Sequence, residues 1–140
     1  MKLTTNFTLE EFTGTQHKDY LADNIYFAMN NFSKLQYLAE FAQKIRNLLG
    51  VPMTITSGVR YPLLNIKVGG KETSQHCKVE AFDFIPAKIT LQQAFDKIRK
   101  SDLSFGQLII EKSGNKQWLH ISVGTKKQVM KYENGRYTIL

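Results

Sequence analysis

The apolar positions of the chain fall into two periods, and the switches between them divide the sequence into elements. Over residues 31–49, Phe32, Leu35, Leu38, Ala39, Ala42, Ile45 and Leu49 recur every three or four positions, the spacing that lines one face of a helix. This is the main core helix, and Gly50 follows where a left-handed C-cap falls. Two shorter helices announce themselves by capping-box spacing, Thr8-Leu9-Glu10-Glu11 near the start and Thr90-Leu91-Gln92-Gln93 before a run to about residue 100. Short apolar segments rich in β-branched and aromatic residues read as strands at 53–57, 81–85, 106–110, 118–123, 129–132 and 136–139. Asn134-Gly135 is the signal of a two-residue hairpin turn between the last two. The pattern predicts an α+β fold with an antiparallel sheet. Residues 13–24 read as an irregular polar connection, and residues 58–74, with Pro62 and Gly69-Gly70, as a long loop of the kind small domains keep for function.

Composition narrows the class without choosing a function. At 140 residues and 42% hydrophobic, with no repeat or linker, residues 1–140 suit one domain that buries a core without disulfides. The lone cysteine, Cys77, has no internal partner and reads as a buried thiol. The N-terminus lacks the apolar core of a signal peptide, and no run is long enough to span a bilayer. The expectation is a cytoplasmic product without membrane insertion. A formal charge of +7 favours polyanions, but the basic residues are scattered rather than interleaved with stacking aromatics, which argues against nucleic acid as partner.

The chemistry concentrates in two segments. In Ser74-Gln75-His76-Cys77-Lys78-Val79-Glu80-Ala81-Phe82-Asp83, an aspartate sits inside an apolar strand, and His120 sits likewise in Trp118-Leu119-His120-Ile121-Ser122. A charged group there is tolerated when it is paired or binds a metal. Two histidines and an aspartate leave a fourth tetrahedral position open, as in catalytic rather than structural zinc sites. A strand histidine is, however, more often a hydrogen-bonded core residue than a ligand, and spacing alone does not decide between the two.

Taken in order, Ser57-Gly58-Val59-Arg60, Leu64-Asn65, Val68-Gly69-Gly70, Ser74-Gln75-His76, Ala81-Phe82-Asp83-Phe84 and Trp118-Leu119-His120-Ile121-Ser122 resemble the D-alanyl-D-alanine carboxypeptidase family of zinc peptidases. The opening Asn6-Phe7-Thr8-Leu9-Glu10-Glu11-Phe12 is similar to its short, phage-associated branch. The resemblance implies a Hedgehog/D-Ala-D-Ala-peptidase-like fold, Zn²⁺ held by His76, Asp83 and His120, and hydrolysis of peptidoglycan stem peptides, as carboxypeptidase or endopeptidase; a monomer is the expected state. Such an enzyme acts on the cell wall after release or as part of a phage particle.

The same resemblance makes Arg60 the substrate anchor and places Ser74 and Gln75 at the substrate; a solvated loop cation and a turn-capping serine are the plainer readings. Trp118 either lines the substrate groove or packs in the core. Relatives often carry an acid three positions before the last histidine, where this chain has Gln117, which cannot serve as a base. Glu111, at the end of the preceding strand, is the expected substitute if the two strands pair, with Glu80 a weaker candidate. Val79 is the second departure, at a position where relatives have glycine. Two alternatives stay open: a zinc-holding cell-wall-binding module without turnover, and a basic nucleic-acid module.

Overall fold

Six strands form one sheet in the computed structural model, which describes residues 1–140. In chain order the elements are α1 (Leu9–Thr13), a 3-10 turn (Lys18–Tyr20), α2 (Leu21–Asn30), α3 (Phe32–Leu49), β1 (Met53–Ser57), α4 (Pro62–Lys67), β2 (Ala81–Pro86), α5 (Leu91–Arg99), β3 (Gln107–Ser113), β4 (Lys116–Ser122), β5 (Gln128–Glu133) and β6 (Arg136–Ile139). The capping boxes form as their spacing requires. Thr8 Oγ1 accepts from the Glu11 amide while the Glu11 carboxylate accepts from the Thr8 amide, and Thr90 and Gln93 repeat the exchange at α5. Gly50 ends α3 at φ 70°, a conformation a β-carbon would strain.

The sheet order is β1-β2-β4-β3-β5-β6, and it is mixed rather than antiparallel throughout, because β5 runs parallel to β3. Strand β4 already has β2 on one edge and β3 on the other. The short connection after Ser122 must therefore deliver β5 to the outer edge of β3, beside the end where β3 begins, so the two run the same way. Helices also appear where the sequence suggested irregular chain. Helix α2 begins inside the polar stretch, and α4 occupies part of the long loop, with Pro62 in its first turn.

Alternation along the strands separates the two faces. Phe82, Phe84, Leu108, Leu119 and Ile121 point to the helical side and join α3 and α5 residues such as Leu38, Ile45, Phe95 and Ile98 in one buried cluster. Asp83, Ile109, Glu111, Trp118 and His120 point the other way. Asp83 is therefore not in the core its strand neighbours suggest; it faces the segment between β1 and β2. Buried Asn24 helps hold that segment, donating to the carbonyls of Thr13 and Val59 and accepting from the Tyr61 amide. No helix is long and apolar enough to cross a membrane.

Val79 keeps the backbone its position demands. The Glu80 amide donates to the Gln75 carbonyl and the Val79 amide to that of His76, which is the closing pattern of a Schellman turn. Val79 stands at its left-handed position with φ 56° and a buried side chain. A β-branched residue is strained there, and the cluster around its side chain supplies the compensating burial.

Candidate metal centre and cleft

Three elements bring His76, Asp83 and His120 together. The Schellman turn presents His76, while β2 and β4 pair antiparallel with Asp83 directly opposite His120. One nitrogen or oxygen from each lies within 4.8 Å of the others. Asp83 Oδ1 is 3.4 Å from His76 Nε2 and 2.9 Å from His120 Nδ1. Ligands on tetrahedral zinc, with bonds of about 2.0–2.1 Å, stand about 3.3 Å apart.

The outward nitrogens explain why this set suits a cation. His76 Nδ1 is 2.7 Å from the Gly58 carbonyl, and His120 Nε2 is 2.8 Å from Gln75 Oε1. Both oxygens are acceptors, so each ring places its N–H on that side, and a neutral imidazole has only one. A ring in that tautomer turns its other nitrogen toward Asp83 as a lone pair, which is the form a metal ligand takes; with no metal between them, an N–H on that nitrogen donates to the Asp83 carboxylate instead. Burial opposes the charge on Asp83, yet the two histidines outweigh it and hold the carboxyl well below the usual carboxylate range.

This group lies in a cleft of about 700 Å3 whose lining includes Arg60, Ser74, Gln75, Glu111 and Trp118. All five residues expected at the substrate or in catalysis, beyond the ligand set, are thus brought to one cavity. Arg60 is held ready: Nη1 donates to Asn65 Oδ1 and Nη2 to Ser57 Oγ, both at 3.0 Å. Gly70 closes this arrangement, since a β-carbon there would sit 2.0 Å from Asn65 Oδ1. Ser74 Oγ accepts from the His76 amide within its own turn. Gln75 spends its carbonyl oxygen on His120.

Glu111 and Trp118 form a pair across the β3–β4 hairpin, and the indole N–H donates to Glu111 Oε2 at 2.8 Å. Trp118 is half-buried in the cleft rather than packed in the core. Burial, then the charge of Asp83, pushes the Glu111 carboxyl above its ordinary value against the pull of His120, the indole and His76. Gln117 pairs with Lys112 and is exposed, one strand position from Trp118 and so on the opposite face. Its lack of acidity does not bear on the site. Glu80 does not line the cleft. Cys77 is half-buried rather than buried, its thiol pushed up by burial despite the nearby Arg60.

Sequence reasoning passed over several cleft residues: Lys71, Gln107, Ile109, Gln128, Met130 and Tyr137. Ile109 had a signal in strand alternation with Glu111. The β5 and β6 residues had none, because their place depends on the parallel pairing with β3.

A buried two-histidine, one-aspartate group on a sheet face, beside an oriented carboxylate and an arginine, defines the class of metal-dependent hydrolases. The family model described as Peptidase M15 matches residues 5–122, and the chain belongs to that family of zinc peptidases, which includes D-Ala-D-Ala carboxypeptidases. No match was found among curated proteins.

Proposed function

We propose that this protein is a zinc-dependent peptidase that cuts peptide bonds in peptidoglycan stem peptides, as a carboxypeptidase or endopeptidase, in the manner of phage endolysin peptidases. The observation that carries the reading is the convergence of His76 Nε2, Asp83 Oδ1 and His120 Nδ1 beside Glu111 in one cleft. Zinc bound by these atoms supplies a water of lowered pKa and a positive charge that polarises the scissile carbonyl. Glu111 is the general base: Trp118 fixes Oε2, leaving Oε1 to take the proton from the attacking water and return it to the leaving amine. Arg60, anchored by Asn65 and Ser57, binds the substrate carboxylate or carbonyl through its remaining N–H groups. Ser74 and Trp118 line the bound peptide. The net charge of +7 keeps the enzyme near anionic cell wall, where it works as a monomer.

Elemental analysis of the purified protein, paired with hydrolysis of peptidoglycan and a D-Ala-D-Ala peptide, tests the assignment. The expected result is zinc near one per chain and hydrolysis of at least one substrate, both lost in His120→Ala. Stoichiometric zinc with no hydrolysis of either would point instead to a binding module, and no zinc after reconstitution would remove the central claim.

Gln75 has a second expected effect, because its contact with Nε2 fixes the tautomer that leaves His120 Nδ1 free. Outer partners of metal-binding histidines are worth about 10–100-fold in metal affinity. Gln75→Ala should weaken zinc binding by about that factor in chelator competition, and Gln75→Glu should restore it.

A further inference from the structure

The family match ends at residue 122, yet the sheet face that carries the metal centre continues for two more strands. Cross-strand register lays out two rows on this face. One runs from His120 to Ile109, Met130 and Ile139, and the other from Trp118 to Glu111, Tyr132 and Tyr137. Beside them Gln107 Nε2 donates to Gln128 Oε1 at 2.8 Å, which leaves the Gln107 carbonyl oxygen and the Gln128 amide nitrogen unspent by that bond. Tyr137 packs on Tyr132 with ring centroids 4.7 Å apart, and Lys71 Nζ stands 5.6 Å from the Tyr137 ring, so the loop before the metal centre walls the far end. Ile139 and Tyr137 are large side chains that stay 74% and 48% exposed on this face.

We infer that the β5–β6 hairpin is an extended substrate subsite, which binds the acyl-side segment of a peptide several residues away from the bond that is cut. The inference rests on the peptidase reading above. Arg60 follows β1, at one edge of the sheet, and the hairpin forms the other edge, with Asp83 and His120 on strands between them. A peptide whose carboxyl-terminal side lies at Arg60 therefore continues over β3 toward β6. Neighbouring strands are about 4.8 Å apart, so β6 lies about 14 Å from β4, and an extended peptide advances about 3.4 Å per residue. About four residues on the acyl side are needed to reach Tyr137 and Ile139. The apolar row receives aliphatic side chains, and the unspent amide groups of Gln107 and Gln128 suit the peptide backbone.

The test is calorimetric binding of N-acetylated peptides of two, four and six residues ending in D-Ala-D-Ala to zinc-loaded Glu111→Gln protein, in which turnover is blocked. Affinity is expected to rise about tenfold from two residues to six. Adding Ile139→Ser should flatten that rise and leave dipeptide affinity and thermal midpoint as they were, since this side chain is 74% exposed and lies outside the cleft lining, and adding Tyr137→Ala should flatten it as well. A rise that survives both substitutions, or no rise in the parent protein, overturns the subsite. Failure of the zinc-loaded parent to bind any of the peptides is a separate result: it overturns the peptidase reading, and the subsite falls with it.

Discussion

Replacing Glu111 by glutamine should lower hydrolysis by about 10²–10⁴-fold, the range general-base catalysis contributes, with bound zinc unchanged. Glutamine keeps an oxygen to accept the Trp118 N–H, so the substitution removes the proton acceptor and little else. Fold stability should not suffer. The folded-state value of Glu111 is raised, so its favourable contribution is present below the unfolded value and is lost as pH rises through the folded one. At neutral pH the ionised side chain adds nothing for glutamine to forfeit. The same shift gives a pH test. In metal-free protein, carbon NMR should place Glu111 above the ordinary glutamate value of about 4.3, and zinc should draw it back down by its opposite charge. The acid limb of the rate profile should follow the zinc-loaded value and vanish in Glu111→Gln. A variant with undiminished activity would mean that Glu111 only supports the tryptophan.

The parts of the fold legible in the sequence were those whose signal is local. The apolar period of α3 and Gly50 after it, the capping threonines of α1 and α5, and Asn134-Gly135, with φ 48° and 88°, are each decided within a few residues. Helix α2 was not legible because its key residue, Asn24, is a buried amide that satisfies the backbone of two distant segments. That is a tertiary role without a periodic trace. Helix α4 left a usable sign in Pro62 at its start, weakened by the surrounding Gly and Pro. The β3–β5 pairing depends on which sheet edge remains free, and no residue in β5 encodes it.

The site divides in the same way. Asp83 and His120 were visible as polar residues in apolar strands, and register then places them face to face. Glu111 was expected to approach Trp118 by hairpin pairing, and it does. What could not be read were second partners: the Gly58 carbonyl on His76, Gln75 on His120 and Asn65 on Arg60. Each is a contact between loop and strand whose geometry exists only after folding. Val79 shows the converse. A β-branched residue disfavours positive φ, yet the hydrogen bonds of the turn and the burial of its side chain hold Val79 at φ 56°.

Removing zinc should cost the protein much of its thermal stability, and Asp83→Asn should abolish that dependence. A ligand present at about 1,000 times its dissociation constant adds about 4 kcal/mol to the folded state. For a chain of 140 residues this is worth about 10 °C of thermal midpoint. Scanning calorimetry with and without a chelator should show that drop in the wild type. Asparagine preserves the shape of Asp83 but presents no anion to the metal, so the variant should melt at one temperature under both conditions and carry no zinc. Acid separates the two roles of the carboxylate. In metal-free wild type, His76 and His120 depress the Asp83 value despite burial, so its stabilising contribution is present above the unfolded value of about 3.9 and is lost as pH falls through the folded one. The Asn variant should lack that loss. If it instead keeps stoichiometric zinc and the chelator-sensitive midpoint, Asp83 is not a ligand and the cation is held elsewhere in the cleft.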